Sequence, residues 1–272
     1  MLDAHCHMQF HKFEQDSDLV IKDAIAKGVT KIVNTGTSIE SSKKGVDLTA
    51  QYSELFAIVG IHPHHADKTD APYEGEPPDD WLAQLEELAK NPKVIGIGEV
   101  GMDFWNYRTN GVVPVDLQED AFRKQIELSI KLSLPLQIHT RLAWDDTLSI
   151  LSDYKGQLRA VPGMFHCFSG SIEFTRKVLG MGFFIGFDGN ITYGGVPPGE
   201  TTALSDLVKF VPEDRILTET DSPFLSPIPL RGQRNTPSSI PLILEFIANL
   251  KGISYNTLEA KIEQNFTNVF GV

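Results

Sequence analysis

The sequence predicts an α/β protein in which one domain over residues 1–272 forms a (β/α)8 barrel of the TIM type. Strand-like and helix-like segments alternate eight times, and the crossovers are long enough for parallel pairing. This pattern fits either a closed barrel or an open doubly wound sheet. No Gly-x-Gly-x-x-Gly motif opens a helix after the first strand, which disfavours a Rossmann-type sheet, and no linker divides the chain.

The strands are predicted where β-branched and apolar runs end at Gly, Pro or a polar residue. They cover residues 1–7, 29–35, 56–62, 94–99, 134–139, 161–166, 183–187 and 216–221. The third strand is nearly all apolar, as expected for a strand buried on both faces. In the fourth strand, Ile95 and Ile97 share the parity of Glu99, so we expect them to fill the interior of the barrel beneath it.

The helices are predicted from apolar residues at helical spacing, with Ser or Asp near their starts and Gly or Asn-Pro after their ends. They cover residues 18–27, 38–52, 79–90, 116–132, 145–154, 173–179, 201–210, 239–250 and 257–266. Residues 67–78 are acidic and rich in Pro and Gly, which predicts an irregular surface loop. Residues 105–114 are interpreted as a polar connection.

Composition bounds the function. The chain is 41% hydrophobic and 22% charged, and it contains no apolar run long enough to span a bilayer. We therefore expect a cytoplasmic protein with no membrane partner, and nothing implies an obligate protein partner. The formal net charge of −12 disfavours nonspecific nucleic-acid binding over a wide surface. A phosphate substrate would need local positive charge from metal ions or a few arginines.

Cys6 and Cys167 are the two cysteines, and each neighbours a histidine on a predicted strand. Thiolate metal ligation or a redox pair is one interpretation. The expected one is that both are reduced, buried and small, like other apolar core residues. Strand parity supports this for Cys6, which points away from His5 and His7.

The histidines concentrate at strand ends. On its own, the His5-x-His7 pair has a simple alternative explanation as a chance pair on a half-exposed strand. However, six imidazoles and two acids fall at the ends of predicted strands: His5, His7, His62, His64, His139, His166, Glu99 and Asp221. In a parallel barrel these ends open on one face, where active sites of this fold lie. Imidazole and carboxylate ligands suit transition metals better than calcium, and a bridging carboxylate would serve two ions.

The remaining histidines divide into two groups. His62 and His64 flank Pro63 in a turn; we expect His64 to contact substrate, while His62 bonds to backbone. His11 and His65 are interpreted as ordinary surface residues.

Three arginines are candidates for binding an anion. Arg141, two residues after His139, suits either a phosphate or a buried carboxylate. Arg231 and Arg234 follow the eighth strand and are candidate anion binders, Arg231 for the substrate, with solvated loop arginines as the alternative.

Seven segments together resemble the TatD-type metal-dependent deoxyribonucleases, within the amidohydrolase-like barrel hydrolases. They are DAHCH at 3–7, GIHPH at 60–64, GEVGMDF at 98–104, LPLQIHTR at 134–141, FHCFSG at 165–170, TETDSPFL at 218–225 and RGQRNTP at 231–237. They span nearly the whole chain in the expected order. Thr236, where the family often has Glu, and the segments 105–114 and 67–78 depart from the pattern, which bears on substrate preference.

The resemblance implies a distorted TIM-type barrel with two divalent metal ions. The implied ligands are His5, His7 and Asp221 for the first metal, His139 and His166 for the second, and Glu99 bridging both. His64 matches a histidine near the scissile phosphate. Asp103, Arg141 and the loop 231–235 match positions around the pocket. The metal is left open among Mg, Mn and Zn, since affinity order and supply both intervene.

The leading hypothesis is hydrolysis of phosphodiester bonds, trimming DNA ends. A divalent metal ion lowers the pKa of water, Asp221 would accept the proton, Glu99 would hold both ions, and His64 would stabilise the phosphate. Two alternatives stay open. The same centre could hydrolyse an ester, lactone or amide, such as an aminoacyl ester on RNA, because fold does not fix function. The other alternative is a metal-binding scaffold without catalysis.

Overall fold

The computed structural model describes residues 1–68, 80–108 and 111–272. Most of the loop predicted over residues 67–78 lies outside the described residues, as do residues 109–110 of the predicted connection. Among the described residues, none of the helices combines the length and apolarity needed to cross a bilayer.

The predicted parallel barrel is confirmed. In the described part of the chain, eight strands pair in sequence order, all in parallel. They are β1 (Leu2–Cys6), β2 (Lys31–Thr35), β3 (Leu55–Val59), β4 (Val94–Asp103), β5 (Leu136–Arg141), β6 (Gly163–Phe165), β7 (Phe184–Phe187) and β8 (Ile216–Thr218). The chain beyond β8 nearly closes the barrel against β1, because Asp221 N donates to His5 O (3.0 Å) and His7 N donates to Ser222 O (2.8 Å).

All nine predicted helices are present among the described residues, with ends shifted by a few positions. They are α1 (Ser17–Ala26), α2 (Ile39–Thr49), α3 (Trp81–Leu88), α4 (Val115–Leu132), α5 (Trp144–Asp153), α6 (Ile172–Gly180), α7 (Leu204–Phe210), α8 (Ile240–Lys251) and α9 (Tyr255–Phe270). Ser38 and Ser171 cap α2 and α6 by accepting from the backbone N–H three residues on. The core lies between the helices and the strands, with Phe165, Phe183 and Phe266 fully buried.

β4 is longer than predicted, and its register changes partway. The pairing with β5 shifts between Gly98 and Val100. Below the shift Gly98 pairs with Gln137, whose side chain bonds His5 in the barrel interior. Paired residues on parallel strands face the same side, so Gly98 faces the interior and Ile97 faces the helices. The expectation that Ile95 and Ile97 fill the interior is therefore wrong, because one extra residue at Glu99 resets the alternation.

Candidate metal centre

The carboxyl ends of the strands surround a cavity of about 510 Å³. Five of the six predicted ligands line it (His7, Glu99, His139, His166 and Asp221), and His5 lies fully buried directly behind it. His64 and Arg141 line it as well, whereas Arg231 does not. The structure therefore brings together the whole predicted ligand set, although its members come from five different strands or strand ends.

The half of the centre next to β1 contains His5 and His7, whose Nε2 atoms lie 3.0 Å apart. Asp221 Oδ1 lies 3.6 and 3.4 Å from them, and Glu99 Oε2 lies 3.7 and 3.9 Å away. Asp221 has a positive φ of 53° just beyond β8, a conformation that Asp tolerates better than most residues. Both carboxylate oxygens thus lie close to the same pair of ring nitrogens, which defines the first point of the centre.

Hydrogen bonds behind the rings set the tautomers of His5 and His7. His7 Nδ1 donates to Thr35 O (2.8 Å), which only accepts. His5 Nδ1 donates to Gln137 Oε1 (2.8 Å), because the amide nitrogen of Gln137 is used in donating to Ala4 O (2.8 Å). Each neutral ring therefore carries its proton on Nδ1, and both Nε2 lone pairs point into the centre.

The half of the centre next to β5 and β6 is built on the other oxygen of Glu99. Oε1 lies 2.7 Å from His139 Nδ1, 3.0 Å from His166 Nε2 and 3.4 Å from His62 Nε2. Glu99 is almost fully buried between the two halves. Its two oxygens therefore belong to two different sets of donors.

Neighbouring charges make the proton affinities of this centre unequal. Burial alone would raise the pKa of Glu99, but the charges of His62 and His166 and the hydrogen bond from His139 outweigh it and hold that pKa well below its usual range. Burial, together with the charge of His166, holds the pKa of His5 well below its usual range. Burial is also the main cause that lowers the pKa of His62 to about 3.

The pKa values of His139 and His166 shift in the opposite direction. For His139 the cost of burial is outweighed by hydrogen bonds to Asp103 and Glu99, which raise its pKa to about 9. For His166 burial is likewise outweighed, by the charge of Glu99 and the nearby Glu219, and its pKa lies well above the usual value.

Asp103, at the end of β4, holds the outer wall of the cavity. Its Oδ2 lies 3.0 Å from His139 Nε2 and 3.1 Å from His64 Nε2, and it accepts from the Tyr107 hydroxyl (3.1 Å). These bonds outweigh burial and hold the pKa of Asp103 well below its usual range, so the carboxyl is ionised. Gln118 on α4 accepts from Asp103 N (2.8 Å) and fixes the backbone there.

The donor set fits divalent cations. Around the first point, two imidazole lone pairs and two carboxylate oxygens meet with no donor among them when both rings are neutral. Around the second, the 2.7 Å separation of His139 Nδ1 and Glu99 Oε1 is that of a hydrogen bond in which the ring N–H donates, and a metal ion would take the place of that hydrogen. Mixed imidazole and carboxylate ligands are those of zinc, manganese and related metals. Geometrically, the described side chains could also group as His5, His166 and Glu219, or as His62, Asp103 and His139.

Comparison with known proteins places the chain in a family. The profile of the TatD related DNases matches residues 2–271. The chain belongs to this family. YabD of Bacillus subtilis (strain 168), named an uncharacterised metal-dependent hydrolase, is 33% identical over 273 residues, covering 100% of this chain and 99% of the relative. The 3'-5' ssDNA/RNA exonuclease TatD of Klebsiella pneumoniae (strain 342) is 32% identical over 281 residues, covering 100% of this chain and 98% of the relative.

A solved structure agrees. The crystal structure of YjjV, a TatD homologue from Escherichia coli K12, superposes with a TM-score of 0.86 at 26% identity and covers 100% of this chain and 98% of that one. The predicted resemblance and the barrel are thus confirmed, and the chain is a metal-dependent hydrolase of the TatD family.

Two histidine predictions need correction. His65 is not an ordinary surface residue: it lines the cavity, and its Nδ1 donates to Thr37 O (2.7 Å). His62 does accept from a backbone group, His64 N (3.0 Å), as predicted, but its other nitrogen faces Glu99. The adjacent residues His64 and His65 both line the cavity because the segment Pro63–Lys68 is a 3-10 helix. The alternation of side chains along a strand does not apply to such a segment.

The three arginines have three different environments. Arg141 lies in the cavity over the Trp105 ring (4.1 Å) and donates to the Tyr107 hydroxyl (2.9 Å); the described part of the chain offers it no ion pair. Arg231 lies on an adjoining cavity. Arg234 forms a bidentate pair with Asp16 (2.6 and 2.9 Å), so the anion that it binds is a carboxylate of this chain.

The cysteines divide as well. Cys6 is buried in the core, and its thiol donates to Val33 O (3.3 Å), as predicted. Cys167 is not a core residue: it is half-buried in the cavity wall, with a positive φ of 44°. Burial and the nearby Asp188 raise the pKa of the Cys167 thiol well above its usual value, so the group is a neutral thiol.

Sequence reasoning missed two polar residues behind the ligands. Gln137 orients His5, and Glu219 lies 3.6 Å from His166 Nδ1 while accepting from Cys167 N. Gly186 makes room for Glu219, because a side-chain Cβ there would come within 2.6 Å of the carboxylate. The signal was present in both cases: Gln137 has the parity of His139, and Glu219 has that of Asp221.

Proposed function

We propose that this protein hydrolyses phosphodiester bonds at the ends of DNA strands, using two divalent metal ions. The observation that supports this most is the division of the Glu99 carboxylate between two donor sets. Oε2 faces His5 and His7, which Asp221 also faces, whereas Oε1 faces His139 and His166. One carboxylate between two sets of imidazoles could hold two ions side by side, which supports a two-metal hydrolytic centre.

The ligands in this proposal are the six predicted residues: His5, His7 and Asp221 on one ion, His139 and His166 on the other, and Glu99 on both. When bound, such ions lower the pKa of water and neutralise charge on a phosphate. The chain supplies orientation and proton transfer. Asp221 is 15% exposed, the most open of the acids at this centre, so it is placed to accept a proton from the attacking water.

The cavity walls suit one phosphate and the bases beside it. His64 and Arg141 stand on the side of Asp103 and provide donors for the phosphate oxygens. On the opposite side, Phe10 stacks on the His7 ring (4.4 Å between centroids) and meets Phe224, which is 43% exposed. Exposed ring faces bind unpaired bases by stacking, which favours a single strand. The exonuclease named among the relatives supports this substrate class.

The deciding experiment compares wild type with a protein carrying both His139→Ala and His166→Ala. End-labelled single-stranded DNA is incubated with each divalent metal, and products are resolved by length. We expect stepwise shortening from one end by wild type and a fall of about a thousandfold or more in the variant, because transition-state charge stabilisation by a metal amounts to several kcal/mol. His11→Ala is the matched control, since His11 is exposed and outside the cavity.

Two outcomes would contradict the proposal. One is a double variant that degrades DNA at the wild-type rate. The other is a wild-type protein that cleaves p-nitrophenyl esters or lactones but no oligonucleotide, which would make it a hydrolase of carboxylic esters.

A further inference from the structure

A second cavity of about 370 Å³ adjoins the metal centre. The two cavities share Asn190, Pro197, Pro198, Leu204 and Leu225 in their walls, so one opens beside the other. The second cavity contains no predicted metal ligand. Its charged lining residue is Arg231.

Arg231 is held in a way that leaves its charge available. The guanidinium carbon lies 4.1 Å from the centroid of the Tyr193 ring, and the Tyr193 hydroxyl is itself fixed by donating to Ser226 O (2.7 Å). Within the described ranges, Arg231 makes neither an ion pair nor a hydrogen bond, in contrast to Arg234, which is paired with Asp16. A guanidinium stacked by its face keeps its N–H edge for an anion.

The charge of the whole chain makes this arginine notable. At a net charge of −12 the protein has no general attraction for a polyanion, so each phosphate needs a local cation. The metal centre can serve the scissile phosphate only. A strand with more than one linkage brings a second phosphate that the metal ligands do not reach.

We propose that the second cavity is a subsite for the neighbouring, non-scissile phosphate of a single strand, and that Arg231 binds this phosphate. This inference rests on the proposed function and deepens it. It makes Arg231 a specificity-determining residue that favours strands with at least two phosphodiester linkages. Arg231 contributes to the binding of longer strands, and the chemistry at the metal centre does not depend on it.

The test measures kcat/KM on four substrates: a deoxydinucleotide, a deoxytrinucleotide, and two trinucleotides that each carry an uncharged methylphosphonate at a different one of the two linkages. We expect wild type to prefer the natural trinucleotide over the dinucleotide by about tenfold, the size of one charge-assisted hydrogen bond. A methylphosphonate at the linkage that is not cleaved and Arg231→Gln should each remove this preference, and together they should cost no more than either alone. Arg231→Lys should restore part of it.

Arg215→Gln is the matched control. Arg215 also stacks on a ring, that of Phe184 (4.9 Å), but it precedes β8 at the opposite end of the strand. The control should keep the wild-type length preference.

Three results would overturn the inference while the proposed function stands: equal kcat/KM on all lengths in wild type, an Arg231→Gln variant that retains the preference, or additive effects of Arg231→Gln and the methylphosphonate. Failure of wild type to cleave any oligonucleotide would overturn both.

Discussion

His5 and His139 face the same carboxylate, Glu99, from opposite halves of the centre, yet their proton affinities shift in opposite directions. The pKa of His5 is held well below its usual value, whereas that of His139 is raised to about 9. Burial lowers the pKa of both rings, and the charge of His166 lowers that of His5 further, whereas the bonds to Asp103 and Glu99 outweigh burial at His139. The second nitrogen of His5 donates to the neutral amide of Gln137, and the second nitrogen of His139 meets the ionised Asp103. An ionised carboxylate behind the ring is therefore one of the causes that keep a proton on His139, whereas the residue behind His5 is uncharged.

Glu99→Gln should have the largest effect, because Glu99 is the one group common to both halves. The amide removes the negative charge that both ions would share, so we expect hydrolysis to fall by about a thousandfold or more. Elemental analysis of the purified variant should show loss of metal from both sites, whereas His5→Ala should lose metal mainly from one. A Glu99→Gln protein with full metal content and wild-type turnover would refute the shared role.

The pH dependence of metal binding should differ between the two halves. The pKa of His139 is raised from 6.5 to about 9, so the ring must lose a proton before Nδ1 can bind a metal ion. The metal affinity of this half should therefore be weakest below pH 6.5. It should rise about tenfold per pH unit for each proton released, until the pH passes 9. The half with His5 should change little above pH 7, because the pKa of that ring is already low.

Calorimetric titrations in buffers of different ionisation enthalpy count the protons released by each site. Equal proton release at the two sites would contradict the comparison. The same pKa shift affects the stability of the protein without metal, because the pKa of His139 is higher in the folded than in the unfolded state. The stabilisation by protonated His139 is complete below pH 6.5 and is lost as the pH rises through 9. Thermal melting of the metal-free protein checks this sign.

The sequence was sufficient to predict that the six candidate ligands meet, but not how the residues around them are oriented. The ligands end strands, and the ends of parallel strands meet whatever the details of register, so their positions followed from the alternation of elements. The orientation of the neighbouring residues depends on the register of the strands and on the path of the turns. The shift at Glu99 reversed the facing of Ile97, and the tight turn after β3 placed His65 in the cavity. Neither a bulge nor a tautomer leaves a periodic signal in one sequence.

The smallest effects should come from the supporting residues, and they should be unequal. Asp103→Asn keeps the shape of the side chain but replaces an ionised partner of His139 with a neutral one. We expect metal affinity at that half to fall by about 10- to 100-fold. Gln137→Met removes the hydrogen-bond acceptor of His5, and this acceptor is an uncharged amide. The metal affinity of the half that contains His5 should therefore fall by about tenfold or less. Titration with one metal, monitored separately for the tight and weak phases, measures both.

Stability must be separated from affinity in this pair. Gln137 is fully buried and also accepts from the Thr35 hydroxyl (2.8 Å), so Gln137→Met leaves buried polar groups without partners and should lower the free energy of unfolding by about 1–3 kcal/mol. The comparison therefore uses affinities measured well below the melting temperature of each variant. If Gln137→Met weakened its half as much as Asp103→Asn weakens the other, a formal charge behind the ring would not be what distinguishes the two halves.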